Sequence, residues 1–150
     1  MKIAFVIGNL SNGGAQRVTA VVSSLLASDD DIYLYVYEKT DDEYNVSSNV
    51  HVTYMSKNHS EYKNISELAR VMRLRHYLKE ISPDVAVGFI QGGYGLFCAS
   101  VGMKFVKIAS LRTNPDRAFS AMNIRSFIDR LWFKSANAVV LQTDSQMHLT

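Results

Sequence analysis

The sequence predicts a doubly wound α/β fold, with a mainly parallel sheet of about six strands and helices on both faces. Several short apolar runs show no alternation, which is typical of strands that are covered on both sides. Segments between them place apolar residues three and four positions apart, which indicates amphipathic helices. The connections are long enough to return the chain in parallel, so the crossover units of this fold class are expected.

The first strand, loop and helix form the stretch around which the rest of the chain is organised. Residues 3–7 (IAFVI) predict a buried strand, and the apolar spacing from Ala15 onward predicts a helix. Between them lie Gly13 and Gly14, and glycines permit a positive φ and the close approach of a ligand. The start of the helix favours an anion. An anion site and a plain turn both remain open as interpretations.

Two well-known phosphate loops do not match this stretch. Gly8 and Gly13 have the spacing of a Walker A loop, but Gly14 and Ala15 stand where lysine and a hydroxyl residue are required. The loop also lacks the G-x-G-x-x-G pattern of dinucleotide sites, although Glu38 lies at a plausible distance for the acid that binds a ribose.

Length and composition set further limits. A chain of 150 residues suits one domain that buries ~70% of its unfolded surface. The longest apolar runs are strand-sized, so neither an export signal nor a membrane span is predicted, and the expected location is the cytoplasm. Cys98 is the single cysteine, which excludes an internal disulfide and a cysteine-based metal cluster and predicts a small buried apolar residue.

The net charge of +2 is unevenly distributed along the chain. Residues 1–62 contain 4 basic and 8 acidic side chains, whereas residues 63–150 contain 12 basic and 6 acidic ones. This asymmetry is consistent with an anionic partner, either a phosphate-bearing ligand or an acidic lipid surface, and equally with solvated helix faces.

The remaining elements follow from the same patterns. Residues 32–37 predict a strand whose tyrosines, Tyr33, Tyr35 and Tyr37, share one face and pack under a helix. The next predicted elements are an edge strand at 51–55, a polar connection at 56–63, a long helix at 65–81 that ends before Pro83, and a strand at 84–90.

A second pair of glycines follows the fourth strand. Gly92 and Gly93 are predicted to form a turn before a short helix. Beyond it the sequence predicts a strand at 105–111, a loop with Arg112 and Asn114, a helix at 122–134, a strand at 138–141 and, at Gln142 and Thr143, the start of another helix.

The predicted strand order is Rossmann-like and makes the first and fourth strands neighbours. Gly13 and Gly14 then face Gly92 and Gly93 across the crevice at the carboxyl ends of the strands. Arg112 would lie one strand further along, where a guanidinium suits the recognition of an anion or a structural salt bridge. Asn114, Gln142 and Thr143 are candidates for the rim of this crevice.

These residues resemble the N-terminal domain of the family-four glycosyltransferases, which are retaining enzymes of the GT-B fold with two Rossmann-like domains. The resemblance is carried by Gly-Gly-Ala-Gln-Arg-Val at 13–18, where the family has Gly-Gly-Ala-Glu-Arg-Val. It extends to Ser-Pro-Asp-Val at 82–85, Ser-Leu-Arg-Thr-Asn-Pro at 110–115 and Gln-Thr-Asp-Ser-Gln at 142–146. The likeness therefore spans the whole chain.

The resemblance implies sugar transfer from a nucleotide-diphosphate sugar to a saccharide or lipid-linked acceptor. Residues 1–150 would be the acceptor-side domain, and the donor-binding C-terminal domain would be absent from this chain, so the fragment alone is expected to be inactive. Gly13 and Gly14 would approach the donor phosphates or the reacting sugar, and Arg112 would lie near the acceptor or the leaving diphosphate. Many relatives have a histidine at the position of Arg112, and Gln16 replaces a glutamate, so the chain departs from the family pattern at two places.

No cofactor, metal or nucleic acid is expected. The four histidines have no metal spacing and no partnered acid, so they are predicted to be surface or packing residues: His51, His59, His76 and His148. One basic helix segment could contact an anionic membrane at the inner face or be a solvated face with buried aromatics: Arg125, Arg130, Trp132, Phe133 and Lys134.

Two other classes of protein remain open. A nucleotide- or NAD-binding module would use the same crevice and place Glu38 on a ribose. A non-catalytic interaction domain would instead present a large exposed apolar patch.

Overall fold

The computed structural model describes residues 1–110, 131–132 and 134–141, with the backbone alone at residues 90–92. The elements in chain order are β1 (Lys2–Ile7), α1 (Gly14–Leu26), β2 (Asp31–Glu38), β3 (His51–Ser56), α2 (His59–Asn64), α3 (Glu67–Ile81), β4 (Val85–Phe89), α4 (Ile90–Ala99), β5 (Val106–Ser110) and β6 (Ala138–Val140). The described elements follow the predicted order, with β2 and β3 consecutive and with the extra helix α2. The helix predicted at 122–134 lies largely outside the described residues.

The strands form one sheet in the order β3-β2-β1-β4-β5-β6. Each pairing in the described part is parallel, and β1 lies between β2 and β4, with Ile3 opposite both Ile32 and Val85. This confirms the doubly wound, Rossmann-like order and the edge position of β3. The point at which the strand order reverses therefore lies between β1 and β4, where α/β folds bind their ligands.

Two apolar cores cover the two faces of the sheet. On one face Tyr35 and Tyr37 are buried against Leu74 and Leu78 of α3 and Leu96 of α4, which confirms that the tyrosine stripe packs under a helix. On the other face a second cluster with Phe5, Leu34 and Val36 packs against α1. The sheet is thus held from both sides, and its carboxyl edge is left for a site.

The predicted polar connection at 56–63 is wrong, because it contains the helix α2. Asn58 begins this helix, and its side-chain oxygen accepts a hydrogen bond from the Glu61 backbone N–H at 2.9 Å. Glu61 in return accepts one from the Lys57 backbone N–H at 2.7 Å. These reciprocal bonds stabilise a helix that is too short to show a period in the sequence. Consequently the following helix, α3, begins at Glu67, two residues later than the sequence suggested.

The predicted turn at Gly92 and Gly93 is also wrong. The chain passes directly from β4 into α4 at Ile90, and both glycines lie inside the first turns of that helix. A glycine pair favours a turn in isolation. At Gly93, however, the lack of a side chain allows α4 to pack closely against the ring of Trp132.

Candidate functional site

The loop between β1 and α1 is anchored from below by Leu10. This side chain is 1% exposed and belongs to the core cluster on the α1 face of the sheet. Above it, the Asn9 side-chain oxygen accepts hydrogen bonds from the backbone N–H of Ser11 at 3.3 Å and from Nε2 of Gln16 at 3.5 Å. The loop therefore holds its shape at the carboxyl end of β1.

The two glycines of this loop meet different surroundings. Gly13 has an extended backbone, and a Cβ atom there would collide with the Gln16 side chain. Gly14 is exposed, and a Cβ atom there would have no other atom within 4 Å. The positive φ of the loop, 46°, belongs to Asn12 and not to a glycine. Asparagine tolerates this conformation better than most residues, so the turn does not depend on a glycine at the position with positive φ.

Two helices start at the reversal point of the sheet without a side-chain cap. In the described part of the chain, α1 follows Gly13 and α4 follows Phe89, and neither has an acidic residue in its first turn. By contrast α2 and α3 are capped by the side chains of Asn58 and Ser66 and have glutamates in their first turns. The uncapped helix starts leave backbone N–H groups and the positive ends of two helix dipoles at one edge.

The second glycine pair lies at this edge as part of α4. A Cβ atom at Gly93 would come within 2.9 Å of Cδ1 and Nε1 of Trp132, whose side chain is 1% exposed. Trp132 is thus buried and Lys134 is exposed. Both agree with the interpretation of the basic segment as a solvated face with buried aromatics.

Three predicted site residues, Arg112, Asn114 and Thr143, lie outside the described residues, as do Gln142, Arg125, Arg130 and Phe133. Their roles stay predictions. The strand that leads to Arg112, β5, ends at Ser110 and pairs with β4, where Ser110 lies opposite Phe89. Strand β5 therefore ends at the edge of the sheet at which α4 begins.

A polar pair that the sequence analysis missed lies at the same edge. Nδ1 of His59 is 2.8 Å from Oε1 of Glu38, the last residue of β2. The expectation that His59 has no partnered acid is therefore wrong. The separation of 21 positions hides the pair in the sequence, although Glu38 ends β2 and His59 closely follows the neighbouring strand β3. The same contact occupies one oxygen of the carboxylate that the dinucleotide interpretation assigns to a ribose.

This pair lines a polar groove of about 1080 Å³ at the carboxyl ends of β2 and β3. Tyr54 also lines it, and the Tyr54 hydroxyl donates to Oε2 of Glu43 at 2.6 Å. Burial and this bond raise the pKa of the Tyr54 hydroxyl, which therefore stays a neutral donor.

Other chemistry is limited in the residues that the structure describes. No group of three or more His, Cys, Asp or Glu side chains among them is placed to hold a metal ion. Cys98 is half-buried, and this burial raises the pKa of its thiol, which disfavours the reactive thiolate. None of the helices in the described ranges combines the length and the apolar character needed to cross a bilayer.

An apolar groove of about 390 Å³ lies between α1 and the sheet. It is lined by Val18 and Val22 of α1 and by strand residues such as Val87, Ile108 and Val140. None of the described residues that line it has an acidic or basic side chain, so their side chains offer apolar contact area and no titratable group. It is the feature that the interaction-domain interpretation would use.

No protein-family model matches the chain. A sequence relative is the enzyme named GalNAc-alpha-(1->4)-GalNAc-alpha-(1->3)-diNAcBac-PP-undecaprenol alpha-1,4-N-acetyl-D-galactosaminyltransferase, from Campylobacter jejuni subsp. jejuni serotype O:2. The two are 25% identical over 143 residues. The match covers 93% of this chain but only 39% of the relative, so the chain spans well under half of that enzyme.

Three solved structures share the fold. Sucrose-phosphate synthase from Thermosynechococcus elongatus superposes with a TM-score of 0.67 at 8% identity, over 98% of this chain and 79% of that chain. The lipopolysaccharide outer core galactosyltransferase WaaB, in its apo form, gives a TM-score of 0.61 at 14% identity, over 93% and 38%. UGT2 from Phytolacca americana, also in its apo form, gives a TM-score of 0.53 at 11% identity, over 79% of this chain and 31% of that chain.

The described fold is therefore the Rossmann-like α/β domain found in GT-B glycosyltransferases. The sequence similarity to a glycosyltransferase agrees with this, and the resemblance inferred from the motifs is confirmed at that level.

Proposed function

We propose that this chain is the N-terminal, acceptor-side domain of a GT-B glycosyltransferase whose donor-binding domain would follow it. The intact enzyme transfers a sugar from a nucleotide-diphosphate sugar to a saccharide or lipid-linked acceptor, with retention at the anomeric carbon. The observation that carries the proposal is the pair of uncapped helix starts, α1 and α4, at the carboxyl ends of the neighbouring strands β1 and β4.

A diphosphate is the ligand that these helix starts suit best. Unpaired backbone N–H groups and two positive dipole ends attract negative charge, and no acidic residue in either first turn opposes it. In sugar transfer the negative charge on the diphosphate grows as the glycosidic bond to the donor breaks. Fixed donors aimed at that charge lower the barrier without any titrating group.

Gly14 makes room for this ligand. Gly14 leaves open space beside the start of α1, where the reacting sugar or the donor phosphates approach the backbone. We assign Gly13, Gly92 and Gly93 to the same lip of the crevice. Arg112 contacts the acceptor or the leaving diphosphate, since a guanidinium remains charged and bonds such oxygens in pairs. Asn114 and Thr143 bind substrate at the rim.

The acceptor belongs to the saccharide or lipid-linked class. The name of the sequence relative describes an acceptor glycan on an undecaprenyl diphosphate, which supports this class. An enzyme with such an acceptor works at the inner face of the membrane, as a cytoplasmic protein with peripheral contact. The residues for this contact are Arg125, Arg130 and Lys134.

The test is sugar transfer by the full-length gene product. The purified protein is incubated with a panel of UDP- and GDP-sugars and with undecaprenyl-diphosphate-linked or free saccharide acceptors, and the product is analysed by mass spectrometry. We expect a product whose new linkage, determined by proton NMR, has the anomeric configuration of the donor. Residues 1–150 alone are expected to transfer nothing.

Two outcomes contradict the proposal. Absence of transfer by the full-length protein with every donor rejects the enzyme class, whereas sugar transfer by residues 1–150 alone rejects the division of labour between domains. An Arg112→Ala protein serves as an internal check, because it should lose turnover while its unfolding curve stays close to that of the native protein. Arg112→Lys should restore only part of the turnover, because an ammonium group cannot form the paired bonds of a guanidinium.

A further inference from the structure

The polar groove at the carboxyl ends of β2 and β3 adjoins the glycine loop. It is lined by the ends of these two strands, by residues 39–41 and by residues 57–60 at the start of α2. The backbone N–H of Glu38 donates to the carbonyl oxygen of Gly8 at 2.9 Å, so the groove begins where the glycine loop begins. A ligand in the groove would therefore lie beside a ligand at the start of α1.

The centre of the groove is the hydrogen bond between His59 and Glu38, 2.8 Å long. The Glu38 side chain is 15% exposed and that of His59 is 63% exposed, so the carboxylate orients an imidazole that reaches solvent. Among the described residues no hydrogen bond engages Oε2 of Glu38 or Nε2 of His59. The bond to a carboxylate oxygen requires the hydrogen on Nδ1, so Nε2 of a neutral imidazole accepts a hydrogen bond, and Oε2 of Glu38 accepts one as well. Adjacent hydroxyls of a sugar ring match such a pair.

A fixed aromatic ring lies in the same groove. Tyr54 is held by its 2.6 Å bond to Glu43, and Nζ of Lys39 lies 5.5 Å from the centre of the ring. Glu43 also accepts a hydrogen bond from the backbone N–H of Thr40 at 3.0 Å, which ties the loop to the strand. The groove is therefore preformed, and a rigid ring offers apolar surface at little entropic cost.

The charges in the groove favour a neutral ligand. Among the described residues that line it, Lys39 and Lys57 contribute two positive charges and Glu38 and Asp41 contribute two negative ones, so these four charges cancel. A diphosphate would meet two carboxylates here, whereas the starts of α1 and α4 have none in their first turns. Like charges brought together at a binding site cost free energy, so phosphate is directed to the helices and not to this groove.

We propose that this groove binds a neutral sugar ring of the acceptor saccharide and recognises its hydroxyls through Glu38 and His59. The inference rests on the proposed function and adds to it the place and the chemistry of acceptor recognition. The groove and the glycine loop then present acceptor and donor to each other along one edge of the sheet.

The test is saturation-transfer difference NMR on the full-length gene product. The probes are the methyl glycosides of glucose, galactose, N-acetylglucosamine and N-acetylgalactosamine, and inorganic pyrophosphate is added as a competitor. We expect at least one glycoside to bind. Glu38→Gln and His59→Ala should each weaken that binding about ten-fold or more, the effect of losing one hydrogen bond to a charged group. Glu80→Gln on the exposed side of α3 is the matched control and should change nothing.

The outcomes are separable from those of the sugar-transfer assay. Three results overturn the groove assignment. They are absence of glycoside binding by the native protein, glycoside binding by both groove variants that is as strong as that of the native protein, and displacement of the glycoside by pyrophosphate. If the enzyme transfers sugar, both variants should raise the acceptor KM and leave the donor KM unchanged; an unchanged acceptor KM refutes the groove and leaves the proposed function intact. If the native protein transfers no sugar but binds a glycoside that both variants fail to bind, the groove assignment stands and the proposed function is rejected.

Discussion

Gly93 and Trp132 are in direct contact across the face of α4. A Cβ atom at Gly93 would lie 2.9 Å from both Cδ1 and Nε1 of the indole, and a Cβ atom at Gly88 would lie 3.1 Å from Cζ2 of the same ring. Trp132 is 1% exposed and is packed against both β4 and α4. The absence of side chains at Gly88 and Gly93 therefore allows β4, α4 and the ring of Trp132 to pack closely together.

Replacing Gly93 by alanine should destabilise the protein. The new methyl group would come within 2.9 Å of a buried ring, and overpacking of this kind costs about 1–3 kcal/mol. The gain in helix propensity from glycine to alanine, about 1 kcal/mol, offsets only part of this. The free energy of unfolding, measured by urea denaturation, should fall accordingly.

Gly14→Ala is the matched control for this prediction. It makes the same chemical change at a helical glycine where a Cβ atom has no neighbour within 4 Å. Its effect on the free energy of unfolding should stay within about 0.5 kcal/mol. Equal unfolding midpoints for the two variants would show that the contact with Trp132 does not limit the packing of α4.

The buried side chain of Leu10 predicts that the glycine loop depends on the core below it. Leu10→Ala removes a side chain that is 1% exposed, and such truncations cost about 2–5 kcal/mol. The loss should appear in urea denaturation of the protein. Leu25→Ala in α1, where the side chain is 69% exposed, should leave stability almost unchanged. A Leu10→Ala protein as stable as that control would mean that the loop has another anchor.

The order of the sheet was predictable because its signals are local. The strand IAFVI and the helix after Gly14 each show their own period, and parallel crossovers leave few ways to arrange such units. The helix α2 was missed, since six residues are too few to display a period, although Asn58 and Glu61 have the spacing of a helix start.

The parts that were not predictable depend on contacts between distant residues. The sequence predicted Gly93 to be part of a turn, because its contact with Trp132 joins residues that lie far apart in the chain. His59 looked unpartnered because its acid lies 21 residues earlier, at the end of the neighbouring strand. In both cases the tertiary contact outweighs what the local sequence favours.

Alkaline pH should lower the stability of the protein, because burial raises the pKa of Tyr35 from its usual 10 to about 12. Between pH 10 and pH 12 the unfolded chain loses this proton and the folded protein keeps it. Deprotonation therefore lowers the free energy of the unfolded state, and the free energy of unfolding falls as pH rises. Below pH 10 the contribution of this group to stability is fully present. Burial raises the pKa of Tyr37 as well, in the same direction.

Circular dichroism at a series of pH values checks this prediction. Tyr35→Phe should flatten the fall in stability above pH 10, since phenylalanine cannot ionise. Tyr44→Phe, at a tyrosine that is 37% exposed, is the control and should leave the profile as it was. A profile unchanged by Tyr35→Phe would place the alkaline transition on other groups.

The open space at Gly14 leads to a prediction about turnover that is independent of stability. Gly14→Leu places a side chain where nothing lies within 4 Å of a Cβ atom, so the fold should tolerate it. The side chain would stand between the start of α1 and the donor diphosphate, and displacing a reacting group by about 1 Å costs roughly 100-fold in rate. We therefore expect kcat/KM for the nucleotide sugar to fall by about that factor in the full-length protein.

Ser28→Leu is the comparison for this change, because it adds an exposed leucine just after the other end of α1, away from the carboxyl edge of the sheet. It should leave kcat/KM as it is, and both variants should unfold at the urea concentration of the native protein. Full activity in the Gly14→Leu protein would mean that the diphosphate does not lie at the start of α1. The assignment would then pass to α4 alone, whose first turn is likewise free of acidic residues.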